Sequence, residues 1–136
     1  MAEWKKTLPN IDVDSKPYWD ACKEHRLIIQ QCQDCGKLQH LYRKDFCCHC
    51  WSQNVVDVDA SGNGKVWTYT ITYLNYTPGF AEDTPYVTAL IELEEGLEML
   101  SGIINIEPEK IEVNMPVKVT WVEATNEITI PFFEPA

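Results

Sequence analysis

Cys32, Cys35, Cys47 and Cys50 stand in the spacing C-x2-C-x11-C-x2-C, which restricts the fold more than any other feature of the chain. Each C-x2-C can direct two thiolates at one ion, because the backbone N–H groups of the intervening turn point at the sulfurs, and four thiolates complete a tetrahedron. The interval between the pairs is strand-sized, so the expected unit is a ribbon, with one strand over Leu27–Gln31 and another over Leu38–Tyr42. Gly36, directly after Cys35, suits a knuckle position whose conformation costs glycine little. The second knuckle, Cys47-Cys48-His49-Cys50, offers four possible ligands in a row. Cys48 and His49 are alternatives to Cys47, but Cys47 with Cys50 repeats the spacing of the first pair and is favoured. Cys48 is then a free thiol and His49 a solvent-facing or supporting residue. His25 and His40 have no partners in sequence and read as ordinary surface or core residues.

Disulfides are the competing use of six cysteines, and their placement argues against them. Five lie between residues 32 and 50, with Cys22 the outlier, whereas a disulfide scaffold spreads its staples across the fold. No apolar stretch approaches the roughly 20 residues needed to cross a bilayer. Trp4-Lys5-Lys6 leads into a polar segment and not into a signal-peptide core. A cytoplasmic, membrane-free setting is therefore expected, where metal ligation or free thiols prevail. A site closed by four thiolates has no open position for substrate, so the expected cofactor is one structural zinc ion. The same ligands can hold iron in an electron carrier, which is the redox alternative.

Charge narrows the partners. Residues 1–65 carry nine Lys/Arg against nine Asp/Glu, whereas residues 66–136 carry two against twelve, and this accounts for the net charge of −10. A half with that balance repels a phosphate backbone, so nucleic acid is not expected. A ligand with a few phosphates could be held locally in the neutral half, where Arg26, Lys37, Arg43, Lys44 and Lys65 lie.

With 136 residues and 45% hydrophobic composition the chain can bury one ordinary core. Residues 1–14 read as an extended polar arm. Ser15 is positioned to cap a helix running to about Glu24, with Pro17 in its first turn and Tyr18, Trp19 and Cys22 as its apolar stripe. Beyond the ribbon, Val55–Val58 reads as a connecting strand and Asn63-Gly64 as a turn. Lys65–Leu74 alternates, which places Trp67, Tyr69, Ile71 and Tyr73 on one face. Tyr86–Leu93 and Glu98–Ile104 flank a Glu94–Leu97 turn, Pro108–Ile111 forms a helical turn, and Val117–Val122 and Ile128–Phe133 complete the set. The expected fold is mainly β: an N-terminal arm and helix (1–26), a zinc ribbon (27–58) and a five-stranded OB-fold barrel (59–136), with a β-sandwich as the alternative for the last part.

Several segments together resemble a known family of small proteins in which a rubredoxin-like zinc ribbon precedes an acyl-CoA-associated OB-fold. The likeness includes Tyr18-Trp19, Leu27 to Gly36, Arg43 before the second knuckle, and Ser61-Gly62 to Thr70. It continues through Pro85-Tyr86-Val87, Leu93-Glu94-Glu95-Gly96, Met115-Pro116-Val117 and Phe132. The family usually has Pro inside the second knuckle and a small residue after it, where this chain has Cys48 and Trp51. The resemblance implies a non-catalytic accessory subunit of a thiolase-type acyl-CoA complex, possessing a thiolase-like large subunit as hetero-oligomeric partner. It extends to aromatic degradation, as in benzoylsuccinyl-CoA thiolysis, with hydratases and aldolases as alternative partners. The residues agree on one point. Acyl transfer needs an activated thiolate, a base and an oxyanion hole, but the cysteines outside the metal set, Cys22 and Cys48, have no recognisable nucleophile motif. The chain is expected to perform no chemistry alone. Candidate ligand or partner contacts are Tyr18, Trp19, Lys65 and Phe80, the last at the exposed tip of the 76–85 loop.

Overall fold

The structure, a computed structural model, describes residues 4–40 and 44–136. Arg43 and the end of the expected Leu38–Tyr42 strand lie outside the described residues. Helix α1 spans Lys16–Lys23, with Pro17 in its first turn. Ser15 occupies the N-cap position without a side-chain cap bond. The capping is done one turn earlier: Asp12 Oδ1 accepts the Ser15 N–H at 2.8 Å, and Ser15 Oγ accepts the Asp12 N–H at 3.1 Å, a reciprocal pair of the capping-box kind. The helix ends in a Schellman motif, with Arg26 N–H on the Ala21 carbonyl and His25 N–H on the Cys22 carbonyl, both at 2.9 Å. His25 takes the left-handed position at φ 60°, where glycine is usual. Its ring stacks on Trp121 at 5.5 Å, which ties the helix end to the barrel.

Strands β1 (Ile28–Cys32), β2 (Leu38–Gln39) and β3 (Val55–Asp59) form an antiparallel sheet in the order β2-β1-β3. Strands β4 (Asn63–Thr72), β5 (Tyr86–Leu93), β6 (Glu98–Ile103), β7 (Pro116–Glu123) and β8 (Thr129–Pro135) close a barrel in the order β4-β5-β6-β8-β7. The only parallel pairing in the barrel among the described residues is β6 with β8, which makes this the five-stranded Greek-key closure of an OB-fold and not a sandwich. Val66, Val87, Ile91, Leu93, Ile103, Val117 and Phe133 fill its interior. Short 3-10 turns occur at Ala81–Asp83 and, as expected, at Pro108–Lys110.

Two local expectations are corrected. Asn63-Gly64 is not a turn: it begins β4, and the left-handed residue is Gly62, at φ 84°. Gly64 serves packing instead, since a Cβ there would lie 2.7 Å from the Glu92 carbonyl oxygen. The alternation through Lys65–Leu74 is also broken, by a bulge between Val66 and Thr68. The extra residue inverts the pattern. Val66, Tyr69 and Ile71 face the core, while Trp67 is turned out and 48% exposed. Tyr73 and Leu74 lie beyond the strand end and are exposed. Among the described residues, no helix is long and apolar enough to cross a membrane.

Candidate metal centre and surrounding cavities

β1 delivers Cys32 at its last residue, and the turn into β2 brings back Cys35. The Cys35 N–H points at Cys32 Sγ at 3.4 Å, and Gly36, at φ 77°, closes the knuckle with its N–H on the Cys32 carbonyl at 2.9 Å. The second knuckle repeats this construction. The His49 N–H points at Cys47 Sγ at 3.3 Å, and Trp51, at φ 65°, places its N–H on the Cys47 carbonyl at 2.9 Å. Trp51 thus adopts the left-handed conformation that Gly36 has in the first knuckle. Its indole lies on Phe46, ring centres 5.2 Å apart and nearly parallel at 4°.

All four sulfurs lie within 4.8 Å of one another. Cys32 Sγ to Cys50 Sγ and Cys35 Sγ to Cys47 Sγ are each 3.6 Å, close to the edge of about 3.8 Å expected for a tetrahedron with zinc–sulfur bonds of about 2.3 Å. Cys32 and Cys47 are buried, Cys35 and Cys50 exposed. The Cys35 N–H is the leading influence drawing the Cys32 thiol down to about 6. Burial opposes ionisation of Cys47, but the Cys50 and His49 amides outweigh it and lower that thiol too. The Ser52 amide pulls Cys50 down, yet burial and hydrogen bonding to the other thiols push it up to about 12. Ionisation is thus eased at Cys32 and Cys47 and opposed at Cys35 and Cys50, and a bound cation would displace the protons that remain. The donor set fits one four-coordinate zinc ion. Cys47 and Cys50 join Cys32 and Cys35, while Cys48 stands outside the cluster.

Two residues that sequence reading missed hold the second knuckle in place. Gln30 and Gln39 face each other across β1 and β2 and are buried. Gln39 Nε2 donates to Gln30 Oε1 at 2.9 Å and to the Phe46 carbonyl at 3.0 Å, while Gln39 Oε1 accepts the Cys48 N–H at 2.8 Å. Gln30 Nε2 donates to the Lys44 carbonyl at 2.8 Å, and its Oε1 accepts the Lys44 N–H at 3.0 Å. The Cys48 amide is thus a donor in use, which a proline could not supply. The available signal was that two amide side chains occupy strand positions beside the knuckles.

The other candidates are not brought together. Tyr18 and Trp19 line a cavity of about 410 Å³ between α1, the ribbon and strands β6 and β8, along with His40, Met99, Leu100 and Phe132. Burial lowers the pKa of His40 there. Lys65 lies elsewhere, beside Glu92 at 4.0 Å, in an exposed surface pair of the kind that contributes little. Phe80 is not at an exposed tip. It is half-buried against Tyr86 at 5.9 Å, and Tyr76, 85% exposed, projects from the loop instead. Trp4, Lys6 and Phe80 line a second, separate cavity. Cys48 is exposed, and no hydrogen bond joins it to His49 among the described residues; His49 Nε2 lies 3.3 Å from the Leu38 carbonyl.

Comparison with known proteins gives the lineage. Residues 19–56 match the family profile described as "ChsH2, rubredoxin-like zinc ribbon domain", and residues 57–122 match "ChsH2, C-terminal OB-fold domain". A "DUF35 domain-containing scaffold protein" of Pyrococcus furiosus is 37% identical over 105 residues, covering 75% of this chain and 74% of that protein. The chain belongs to the DUF35 family. The solved structure "Ltp2-ChsH2(DUF35) aldolase" contains a chain that is 39% identical, with a TM-score of 0.85 over 94% of this DUF35 chain and 98% of that one. A "Probable enoyl-CoA hydratase alpha subunit" of Thermomonospora curvata is 40% identical over 94% of this chain, which spans only 39% of that protein's length. "Benzoylsuccinyl-CoA thiolase subunit BbsA" of Geobacter metallireducens is 32% identical over 73 residues, 54% of this chain and 47% of that protein.

Proposed function

We propose that this chain is a non-catalytic, zinc-stabilised subunit of an acyl-CoA enzyme complex, docked on a larger catalytic subunit whose acyl-CoA pocket it helps to shape. The observation that carries this reading is the likeness, over nearly the full length of both, to a chain of the Ltp2-ChsH2(DUF35) aldolase. The site chemistry agrees with it. The four-thiolate cluster has no open coordination position, and Cys48 has no base hydrogen-bonded to it among the described residues. The cavity beside Tyr18 and Trp19, with Leu100 66% exposed at its margin, is the surface we assign to the partner. Lys65 and Phe80 remain candidates for contacts elsewhere.

A partner of aldolase or hydratase type is favoured, because those likenesses extend over 94% of this chain. A thiolase acting on an aromatic acyl-CoA is the second reading, supported by the shorter likeness to BbsA. Co-expression with the neighbouring genes, affinity purification and mass spectrometry decide between them. Recovery of an aldolase-like or hydratase-like subunit supports the first and a thiolase the second, with activity in the complex and none in the isolated chain. A stable chain that turns over acyl-CoA without a partner would overturn both.

A further inference from the structure

Strand β4 is paired along one edge and only partly along the other. β5 lies beside it from Gly64 to Thr72, whereas β7 covers only Asn63–Lys65. The Val66 N–H then donates to the Met115 carbonyl at 3.0 Å, and the Val66 carbonyl accepts the Asn114 N–H at 2.7 Å. Beyond Val66 no further strand pairs on that side among the described residues. The register shows which backbone groups are left over. The Leu93 N–H donates to the Leu97 carbonyl, so the odd-numbered residues of β5 turn their backbone groups to β6 and the even-numbered ones to β4. Tyr86, Thr88 and Leu90 thus face Thr72, Thr70 and Thr68. The amides and carbonyls of Tyr69 and Ile71 therefore point away from β5, and among the described residues none of them takes a hydrogen bond.

Proteins usually blunt such an edge with a charge, a proline or a bulge. The bulge of β4 lies before the free stretch, between Val66 and Thr68. Charge is missing altogether: no Lys, Arg, Asp or Glu occurs between Lys65 and Glu82, the longest uncharged stretch of the sequence. Trp67 is exposed just before the free groups and Tyr73 just after them, and Thr70, between Tyr69 and Ile71, is exposed as well. A chain of net charge −10 repels its own copies over most of its surface. The uncharged edge of β4 is the strip along which two copies can approach.

We propose that this edge is a homodimer interface, in which the β4 strands of two copies pair antiparallel about a two-fold axis at Thr70. In that register Tyr69 of each copy lies opposite Ile71 of the other, and their N–H and C=O groups satisfy one another as hydrogen-bonded pairs. Trp67 of one copy stands against Tyr73 of the other, a cross-strand aromatic pair of the kind that stabilises sheets. The contact is self-complementary, as a two-fold interface requires, and joins the two barrels by strand addition. No residue of β4 lines the cavity beside Tyr18 and Trp19, so the inference does not rest on the identity of the larger subunit.

The test is sedimentation of the zinc-loaded full chain over a concentration series. The mass is expected to rise with concentration towards twice that of the chain. Thr70→Lys sets two like charges at the axis and should weaken dimerisation by about ten-fold or more, with zinc content and the far-ultraviolet spectrum unchanged. Register is read by cross-linking in a Cys48→Ser background under oxidised glutathione. Thr70→Cys places one thiol opposite its own copy, in a non-hydrogen-bonded pair close enough for a disulfide, and should give a covalent dimer. Thr68→Cys sets the two thiols about 13 Å apart and should not. A chain that stays monomeric throughout, a dimer indifferent to Thr70→Lys, or cross-linking as efficient at position 68 as at 70 would overturn the proposal. A monomeric chain whose capture of the larger subunit is lost in Thr70→Lys would give the edge to a strand of that subunit instead.

Discussion

At residue scale the metal site makes unequal demands on its cysteines. Cys35→Ser removes one of the four sulfurs and should release the ion and unfold the ribbon, because ligand binding energy is folding energy in such a unit. Cys48→Ser should keep about one zinc per chain, since the Cys48 thiol stands outside the cluster. Metal analysis of the two purified variants checks both. Trp51 poses a finer question. A left-handed conformation costs a non-glycine residue roughly 1–2 kcal/mol, and stacking on Phe46 returns about 0.5–1.5 kcal/mol beyond area burial. Trp51→Gly should therefore be close to neutral, whereas Trp51→Ala keeps the strain, loses the stacking and should be the less stable of the two in urea. Cys22 gives a pH dependence. It is wholly buried, and burial pushes its thiol up to about 11 from an ordinary 9.0, with hydrogen bonding to Tyr18 a smaller opposing influence. A raised folded-state value means stability fully present below the unfolded pKa and lost as pH rises between those two values. The loss should be on the order of 2 kcal/mol, read as a lower urea midpoint at pH 10.5 than at pH 8.

At the scale of elements, the bulge in β4 separates residues that alternation would group together. Tyr69 packs on the barrel core whereas Trp67 is turned outward. Tyr69→Ala should cost about 3 kcal/mol, and Trp67→Ala less than about 1 kcal/mol; equal losses in chemical denaturation would contradict the assigned faces. This is also where legibility in the sequence ends. The knuckles, the ribbon strand before the first of them and Tyr86–Leu93 could be read because ligand spacing and strict alternation are local signals, and β5 was bounded as expected, whereas β2 ends at Gln39. The bulge inserts one residue whose effect depends on pairing with β5, and Asn63-Gly64 could be recognised as strand only once Glu92 was known to lie against it. Phe80 was misplaced for the same reason. Its burial comes from Tyr86 across the loop and from Lys6, more than seventy residues earlier in the chain. The four cysteines of the metal set needed no such distant information, whereas the Gln30–Gln39 support depends on a cross-strand register that spacing alone does not give.

At the scale of the whole molecule, helix, ribbon and barrel are held together by contacts away from the metal. The Ala60 N–H donates to the Leu27 carbonyl at 2.8 Å and His25 stacks on Trp121, whereas the exposed Arg26–Asp59 pair at 2.8 Å adds little. The cavity beside Tyr18 and Trp19 is consequently bounded by three elements in fixed relation, as a docking surface requires. Trp19 is only half-buried in this chain and meets Tyr18 edge to face at 5.2 Å, so its removal should leave the zinc and most of the stability intact. An aromatic residue of this kind, held at the margin of an apolar depression, is the type that dominates binding once a partner desolvates it. If the larger subunit seats there, Trp19→Ala should weaken capture of that subunit by about ten-fold or more, corresponding to roughly 1.4 kcal/mol or above. Calorimetric titration of the purified partner into wild-type and variant chains, each with its zinc content verified, measures the difference. An unchanged dissociation constant would place the docking surface elsewhere, and the same titration with Leu100→Ser would then show whether the β6 side of the cavity takes part.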